Sequence, residues 1–574
     1  MVDLTKAPFY LDQDALDWVE ETWHSMSLEE KIGQLFISMN IRRDREAILT
    51  MVNQYHVGGI RWQGGTLEEI YEQNRMFQEV SKVPVLIAAN CEAGGNGAVK
   101  EGTLVSMPAG SGAEQGTEAA FNTGLVSGKE AQAIGCNITF SPVADLLMNW
   151  RNTIVNLRAF GKDPDHVVEL CKAYMEGARK SGIACCVKHF PGDGSEERDQ
   201  HLVMGCNDLS CEDWMDTYGK VYKALIGNDL EAVMVGHICQ PAWTRRFRPD
   251  VQDSEILPAS VCPELLEELL RKELQFNGLI ITDASHMAGL TSMLPRSKQV
   301  PCAIAAGCDM FLFFNDPKED IKYMMDGLES GLISQERLSD AVHRILGLKA
   351  HLRLHRTAFP KKSGLSIVGC EEHHHLAARA ARKTITLVKD TQHLLPVHPE
   401  ERKRALLIFA QSAPISLLDG SDSAKRLVIQ ELEGAGFQVT SLEDYYEMEM
   451  KHASPVNRFR MMENPPVEDF KAKYDIVFVF TNMKGYAQGN NVRLQWSASH
   501  SYEMPWYVHE VPTVFVSLSY TNQLYDLPMA KTYINAYAST QEYIHATVQK
   551  IIGQEPFEGQ ADDNVWCGRW DTRC

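Results

Sequence analysis

Two segments of this chain have the residue types and spacing that acid–base and nucleophilic chemistry need. The first reads Lys188-His189-Phe190-Pro191-Gly192-Asp193-Gly194 and is followed, four residues on, by Asp199-Gln200-His201. An apolar run enters a Gly/Pro-rich loop. An Asp two residues before a His can hold the ring and stabilise its charged form, which makes His201 a candidate general acid/base. Taken alone, a solvated surface His is the plainer reading. The second segment is Thr282-Asp283-Ala284-Ser285-His286-Met287, at the end of the apolar run 278–281. A carboxylate at the end of a buried strand is costly unless paired or used. Asp283 therefore suits a nucleophile or electrostatic stabiliser, with a capping Asp at a strand-to-helix turn as the structural alternative.

Both segments belong to a repeating theme of short apolar run, polar loop and helical stretch. Eight such runs occupy 32–39, 58–63, 84–90, 138–145, 183–189, 232–238, 278–283 and 307–314. Runs apolar on both faces suit strands buried between crossover helices, such as 264–274, and a barrel interior. The expected fold is α/β: a (β/α)8 TIM-like barrel over 1–350, a linker over 351–375 and a smaller three-layer α/β sandwich over 376–574. An open doubly wound sheet is the rival, because periodicity does not show closure. A barrel places function at the C-terminal ends of its strands. There the sequence offers Asn90 and Glu92, Asp145, Lys188 and His189, His237, and Asp283. In the second segment the expected strands are 385–389, 405–410, 476–481, 514–519 and 532–536, with helices at 374–382, 424–434 and 541–552.

Composition narrows the function classes. The chain has 574 residues, 44% hydrophobic and 23% charged, as expected for a globular protein with a large core. Its net charge of −20 disfavours nucleic acid and anionic membrane surfaces as partners. The N-terminus MVDLTKAPFYLDQDALDW shows no basic region followed by an apolar one, so no signal peptide is expected. The 14 Cys are scattered and read as reduced thiols of a cytoplasmic protein. Neither CxxC nor HExxH suggests a metal. The run Glu371-Glu372-His373-His374-His375 opens a helix, so its His residues point to different faces. Gly110-Ser111-Gly112-Ala113-Glu114-Gln115-Gly116 lacks the spacing and partners of a nucleotide loop.

KHFPGDGSEERDQH resembles, in register, the KHFPGHG-x4-D-S-H motif of the family 3 glycoside hydrolases, in their β-N-acetylhexosaminidase-like branch. ITDASHM resembles the S/T-D-x-x-x-M nucleophile motif of that family. Asn156-Leu157-Arg158-Ala159-Phe160-Gly161-Lys162-Asp163-Pro164 is similar to its N-x-R-S-F-G-x-D-P, and Ser141-Pro142-Val143-Ala144-Asp145 to its A-P-V-x-D strand end. The resemblance runs from about residue 27 to 349, and the second segment looks like the α/β sandwich many members append.

The resemblance implies retaining hydrolysis of a β-glycosidic bond by an exo-acting β-N-acetylhexosaminidase. Asp283 would form a covalent glycosyl-enzyme, and His201 would serve as acid then base with Asp199 as its dyad partner. Arg158, Lys188 and His189 match positions that bind the hydroxyls and acetamido group of the terminal sugar. Met287, Asn90, Glu92, Asp145 and His237 complete the expected substrate-binding set, with Asp145 expected to hold Arg158 or a loop. No cofactor is expected. The expected partner is a small carbohydrate, with the second domain shaping the cleft, packing, or forming a homodimer. A neutral imidazole would not repel an anionic acceptor, so a β-glycoside phosphorylase stays open beside a β-glucosidase-like hydrolase. A catalytically degenerate sugar-binding protein is the alternative from another class.

One block departs from the pattern. The usual D-Q-E-G-G-R-V-x-R after the third strand reads Asn90-Cys91-Glu92-Ala93-Gly94-Gly95-Asn96-Gly97-Ala98. An amide replaces the carboxylate that takes distal hydroxyls, and both arginines are absent. The expectation is a terminal sugar that differs from plain N-acetylglucosamine at ring position 4 or 6. An epimer or an anionic substituent would be better tolerated. Asp193 stands where the pattern has His, and is expected to bind backbone N–H groups of its own loop.

Overall fold

The computed structural model describes residues 2–40, 42–412, 421–442, 464–483, 493–494 and 503–574. The stretches 443–467 and 495–508, read from the sequence as an insertion and an aromatic loop, lie largely outside them.

All eight apolar runs become strands of one closed parallel barrel. They are β1 (Phe36–Asn40), β2 (Gly59–Trp62), β3 (Leu86–Ala89), β4 (Ile138–Thr139), β5 (Ala184–Phe190), β6 (Ala232–Val235), β7 (Leu279–Ala284) and β8 (Met310–Leu312). Each strand pairs with its sequence neighbours, and β1 closes on β8 through Phe36 opposite Phe311. The rival open sheet is excluded. Ile280, Ile281, Val233 and Val187 are fully buried, because both faces of such strands are covered. Each fully buried aliphatic side chain of this kind stabilises the fold by about 1.5–3 kcal/mol.

Two run boundaries differ from the sequence reading. Residues 32–34 end the helix Leu28–Gln34, which Ser27 and Glu30 start with a capping box. The run 232–238 breaks after Val235, and Ile238–Cys239 pairs instead with Gly205–Cys206. That parallel pair anchors the far end of the loop that carries His201.

The remaining strands form a six-stranded sheet: β9 (Thr386–Asp390), β10 (Arg404–Gln411), β11 (Gln438–Ser441), β12 (Ile476–Asn482), β13 (Thr513–Ser517) and β14 (Thr532–Asn535). Their order is β9-β14-β13-β12-β10-β11, with only β9 antiparallel to its neighbour. The sequence reading missed β11, a half-exposed edge strand (QVTS) that lacks the apolar signature of the central ones. The helix Glu371–Thr384 begins inside the stretch read as a linker.

Two compact units emerge, one of Met1–Val105, Ala120–Met148 and Arg158–His373, the other of Ser106–Ala119, Asn149–Leu157 and His374–Cys574. Two segments within 1–350 thus group with the second unit. Among the described residues no helix is long and apolar enough to cross a membrane.

Candidate active site

Asp283 lies on β7, one residue short of the strand's end, and its Oδ1 accepts the N–H of Ala284 at 2.7 Å. Burial by itself would raise its pKa. The imidazoles around it, that of His189 first, outweigh that and hold it near 2, so the carboxyl is ionised.

His189 is positioned from β5. Asp145 is fully buried and accepts its Nδ1–H at 2.7 Å and its backbone N–H at 3.1 Å, together with the N–H of Asp193 at 2.8 Å. This fixes the ring so that Nε2 faces Asp283 Oδ2 at 3.9 Å. Asp145 therefore holds His189 and the following loop, and not Arg158.

Arg158 and Lys188 share a different partner. Arg158 donates to both oxygens of Glu92 at 2.8 and 2.7 Å, and Lys188 Nζ lies 2.7 Å from Glu92 Oε1. Burial disfavours the charge on Glu92, but the two cations hold its carboxyl well below the usual carboxylate range. The same burial lowers the pKa of Lys188 against the pull of Glu92. One carboxylate between two cations leaves a cationic surplus with N–H donors to spare, a setting suited to sugar hydroxyls. The loop carrying Glu92 turns at Gly94, whose φ of +142° and closeness to Thr103 O leave no room for a Cβ.

The loop after β5 presents the Asp199–His201 pair, the candidate acid/base dyad. Asp199 Oδ1 accepts both the Nδ1–H and the backbone N–H of His201, at 2.7 and 2.8 Å. Nδ1 is thereby committed as a donor, and Nε2 is the working nitrogen. The loop is pinned at several points. Trp214 donates to Pro191 O at 2.8 Å, Tyr218 to Asp193 O at 2.7 Å, and the N–H of Ala288 to His201 O at 2.9 Å. Gly192, at φ +120°, packs where a Cβ would strike the Tyr218 ring. Asp193 Oδ1 accepts the Gly194 N–H at 2.6 Å, as its position in the loop suggests.

Two expected substrate-binding residues are placed differently. His237 is fully buried, with Nε2 donating to Ala284 O at 3.0 Å and Nδ1 accepting from Ser260 Oγ at 2.8 Å. Both ring nitrogens are used, burial lowers its pKa, and it braces the end of β7. Met287 is buried in the turn after β7, its N–H bonded to Ala284 O. Asn90 follows the end of β3, and its Oδ1 is buried without a protein partner among the described residues. The motif residues Asn156 and Asp163 serve the scaffold. Asn156 accepts from Thr521 within the second unit, and Asp163 caps the helix Pro164–Arg179.

Two residues that the sequence reading passed over belong to this region. Arg61, on β2, has Asp283 and Glu92 as electrostatic neighbours. A lone charge inside the apolar run 58–63 was the available signal. His286 stacks on Phe313 with centroids 6.5 Å apart, and burial lowers its pKa against the pull of Asp283. The His run separates as expected: His373 Nδ1 meets the fully buried Glu130 at 2.7 Å, while His374 meets Glu542.

Comparison with known proteins bears on this constellation. Residues 27–348 match the model of the "Glycosyl hydrolase family 3 N terminal domain". A Cellulomonas fimi protein named Beta-N-acetylglucosaminidase/beta-glucosidase is 39% identical over 574 residues, 100% of both chains. A Beta-hexosaminidase from Idiomarina loihiensis is 32% identical over 256 residues, 44% of this chain and 73% of that protein. A solved structure described as "Beta-glucoside phosphorylase BglX bound to 2FGlc" superposes with a TM-score of 0.91 at 36% identity, covering 99% of each chain. A barrel that presents an ionised Asp, a His–Asp dyad and a cation-flanked Glu at its strand ends, matched over more than half its chain, is an enzyme of glycoside hydrolase family 3.

Proposed function

We propose that this enzyme cleaves terminal β-linked glucosides and N-acetylglucosaminides by double displacement with retention, and that orthophosphate can replace water as acceptor. The observation that carries the reading is Asp283 held ionised beside His189, with the Asp199–His201 dyad on the neighbouring loop. In the first step Asp283 attacks the anomeric carbon while His201 gives its Nε2 proton to the departing oxygen. In the second, His201 takes a proton from the acceptor as the Asp283 ester breaks. Starting from a β-glycoside, the two inversions return a β-configured product.

Arg158, Lys188 and Glu92 form the polar wall for the terminal sugar, and Asn90 Oδ1 supplies an uncharged acceptor beside it. An amide there, where the family pattern has a carboxylate, supports a terminal sugar tolerated beyond plain N-acetylglucosamine. Phosphate as acceptor is favoured by two observations. A His acid/base is uncharged after giving its proton, where a Glu would repel an anion. The whole chain also aligns with a protein described as a β-glucoside phosphorylase.

The test is release of aryl alcohol from aryl β-glucoside and aryl β-N-acetylglucosaminide, with and without orthophosphate, with the sugar product identified. Expected are turnover of at least one substrate, a β-configured sugar 1-phosphate when phosphate is present, and loss of about a thousandfold or more in Asp283→Asn. Undiminished activity of Asp283→Asn overturns the nucleophile; free sugar alone at all phosphate concentrations overturns the acceptor.

A further inference from the structure

β2 is apolar apart from Arg61, in the sequence Gly59-Ile60-Arg61-Trp62. Arg61 stands opposite Met39 of β1 in the barrel register, and its Nη1 lies 3.9 Å from Met39 Sδ. Arg61 is the third of the four residues of β2, at the C-terminal end of the strand, and the carboxylates Asp283 and Glu92, which the barrel also presents at its strand ends, are its electrostatic neighbours.

This half-buried cation has, among the described residues, no carboxylate of its own. Among the described residues it closes no ion pair, because Glu92 is engaged by Arg158 and Lys188, and Asp283 by its histidines. A thioether is a weak acceptor for a group with five N–H donors. Taking a guanidinium out of water without a partner is costly, and the usual resolution is an anionic ligand.

Charge arithmetic points to when that ligand arrives. Arg61, Arg158 and Lys188 carry three positive charges against two negative ones on Glu92 and Asp283. Esterification removes the charge of Asp283 in the same step in which His201 gives up its proton, so the acceptor meets a neutral ester and a neutral imidazole while the guanidinium of Arg61 keeps its charge. The covalent intermediate is thus the state in which neither the nucleophile nor the acid/base ring carries a negative charge to repel an anion held by Arg61.

We propose that Arg61 binds a phosphate group in the active site, either orthophosphate arriving as the acceptor or a phosphoryl group carried by the sugar itself. The proposal rests on the double-displacement reading above. With orthophosphate, a phosphate oxygen forms the new bond to the anomeric carbon, the bond to Asp283 Oδ breaks, and the carboxylate regains its charge.

The test uses the full chain and the variants Arg61→Met and Arg61→Lys. Orthophosphate binding is followed by 31P line broadening, independently of turnover. Half-maximal phosphate for turnover is measured with a neutral aryl β-glycoside, and KM is compared for aryl glycosides with and without a 6-phosphate. Expected for Arg61→Met is phosphate affinity weakened about tenfold or more, with partial recovery in Arg61→Lys. A rise in half-maximal orthophosphate identifies the acceptor role. Loss of a preference for the 6-phosphorylated sugar identifies the substrate role. Equal phosphate binding in wild type and Arg61→Met, or no binding by wild type, overturns the proposal. So does an Arg61→Met effect confined to the pH profile of phosphate-free cleavage, which would make Arg61 only a counter-ion of Asp283. Failure of the double-displacement reading is seen separately, as undiminished activity in Asp283→Asn.

Discussion

His189 Nε2 lies 3.9 Å from Asp283 Oδ2, and it does so because Asp145 grips the opposite ring nitrogen at 2.7 Å. The buried carboxylate sets the orientation of the imidazole, and the imidazole helps to keep the nucleophile ionised. A residue with no exposure of its own thereby governs the reacting carboxylate. Asp145→Asn should lower kcat by about a hundredfold or more while leaving a folded chain, as when a carboxylate that orients a catalytic ring becomes an amide. Steady-state kinetics on an aryl β-glycoside beside a thermal melt checks this. Wild-type kcat in a well-folded variant would remove Asp145 from the positioning of His189.

His201→Ala should be far more harmful on substrates with poor leaving groups than on activated aryl glycosides, because protonation of the departing oxygen matters least for the latter. Asp283, held near 2, should contribute no acid limb until the pH approaches that value. Initial rates across a series of leaving groups and pH values read both effects. Equal losses on all leaving groups would show that His201 is not the acid.

Glu130 joins four groups in the barrel unit. It accepts from Thr103 N and Thr103 Oγ1 at 2.8 Å, from Gly369 N at 3.0 Å and from His373 Nδ1 at 2.7 Å. It thereby ties down the far end of the loop that carries Glu92. Removing it leaves buried donors without an acceptor, so Glu130→Ala should cost about 3–5 kcal/mol of stability, and Glu130→Gln less. Denaturant unfolding of both variants measures the difference; a loss under about 1 kcal/mol would contradict the role.

Lys349 is fully buried in the helix Gln335–His351, with Nζ 2.6 Å from Gln34 Oε1. Burial depresses its pKa from 10.5 to about 7. The unfolded chain binds the proton more tightly, so this group lowers stability increasingly as pH falls from about 10.5 to about 7, and by a constant amount below that. The stability gained in Lys349→Met should accordingly be larger at pH 6 than at pH 10. Paired melts of wild type and variant test the sign, and a gain independent of pH would refute it.

Much of this enzyme is legible in the chain because the signals are local. Eight apolar runs announce the barrel strands, since a strand covered on both faces needs apolar residues at every position. Polar residues at the ends of those runs mark the candidate site, and short motifs single out Asp283, Asp199 and His201 as its candidate chemistry. The roles of Arg158, Lys188, Asp145 and His237 were less legible, because they depend on partners far away in sequence. Arg158 and Lys188 meet on Glu92, 66 and 96 residues upstream of them respectively. His237 uses both its nitrogens on Ser260 and Ala284.

Sequence by itself determined the alternation of strands and helices, the family and the candidates for nucleophile and acid, all properties of residue type and local spacing. Tertiary structure alone decided which carboxylate each cation faces, and hence which charges are neutralised and which remain. Pairwise electrostatics depends on distance and burial, and neither is written in local spacing. Arg61 shows the difference: in the chain it is a single charge in an apolar strand, and in the folded barrel it is a half-buried cation at the end of β2 with no carboxylate of its own among the described residues.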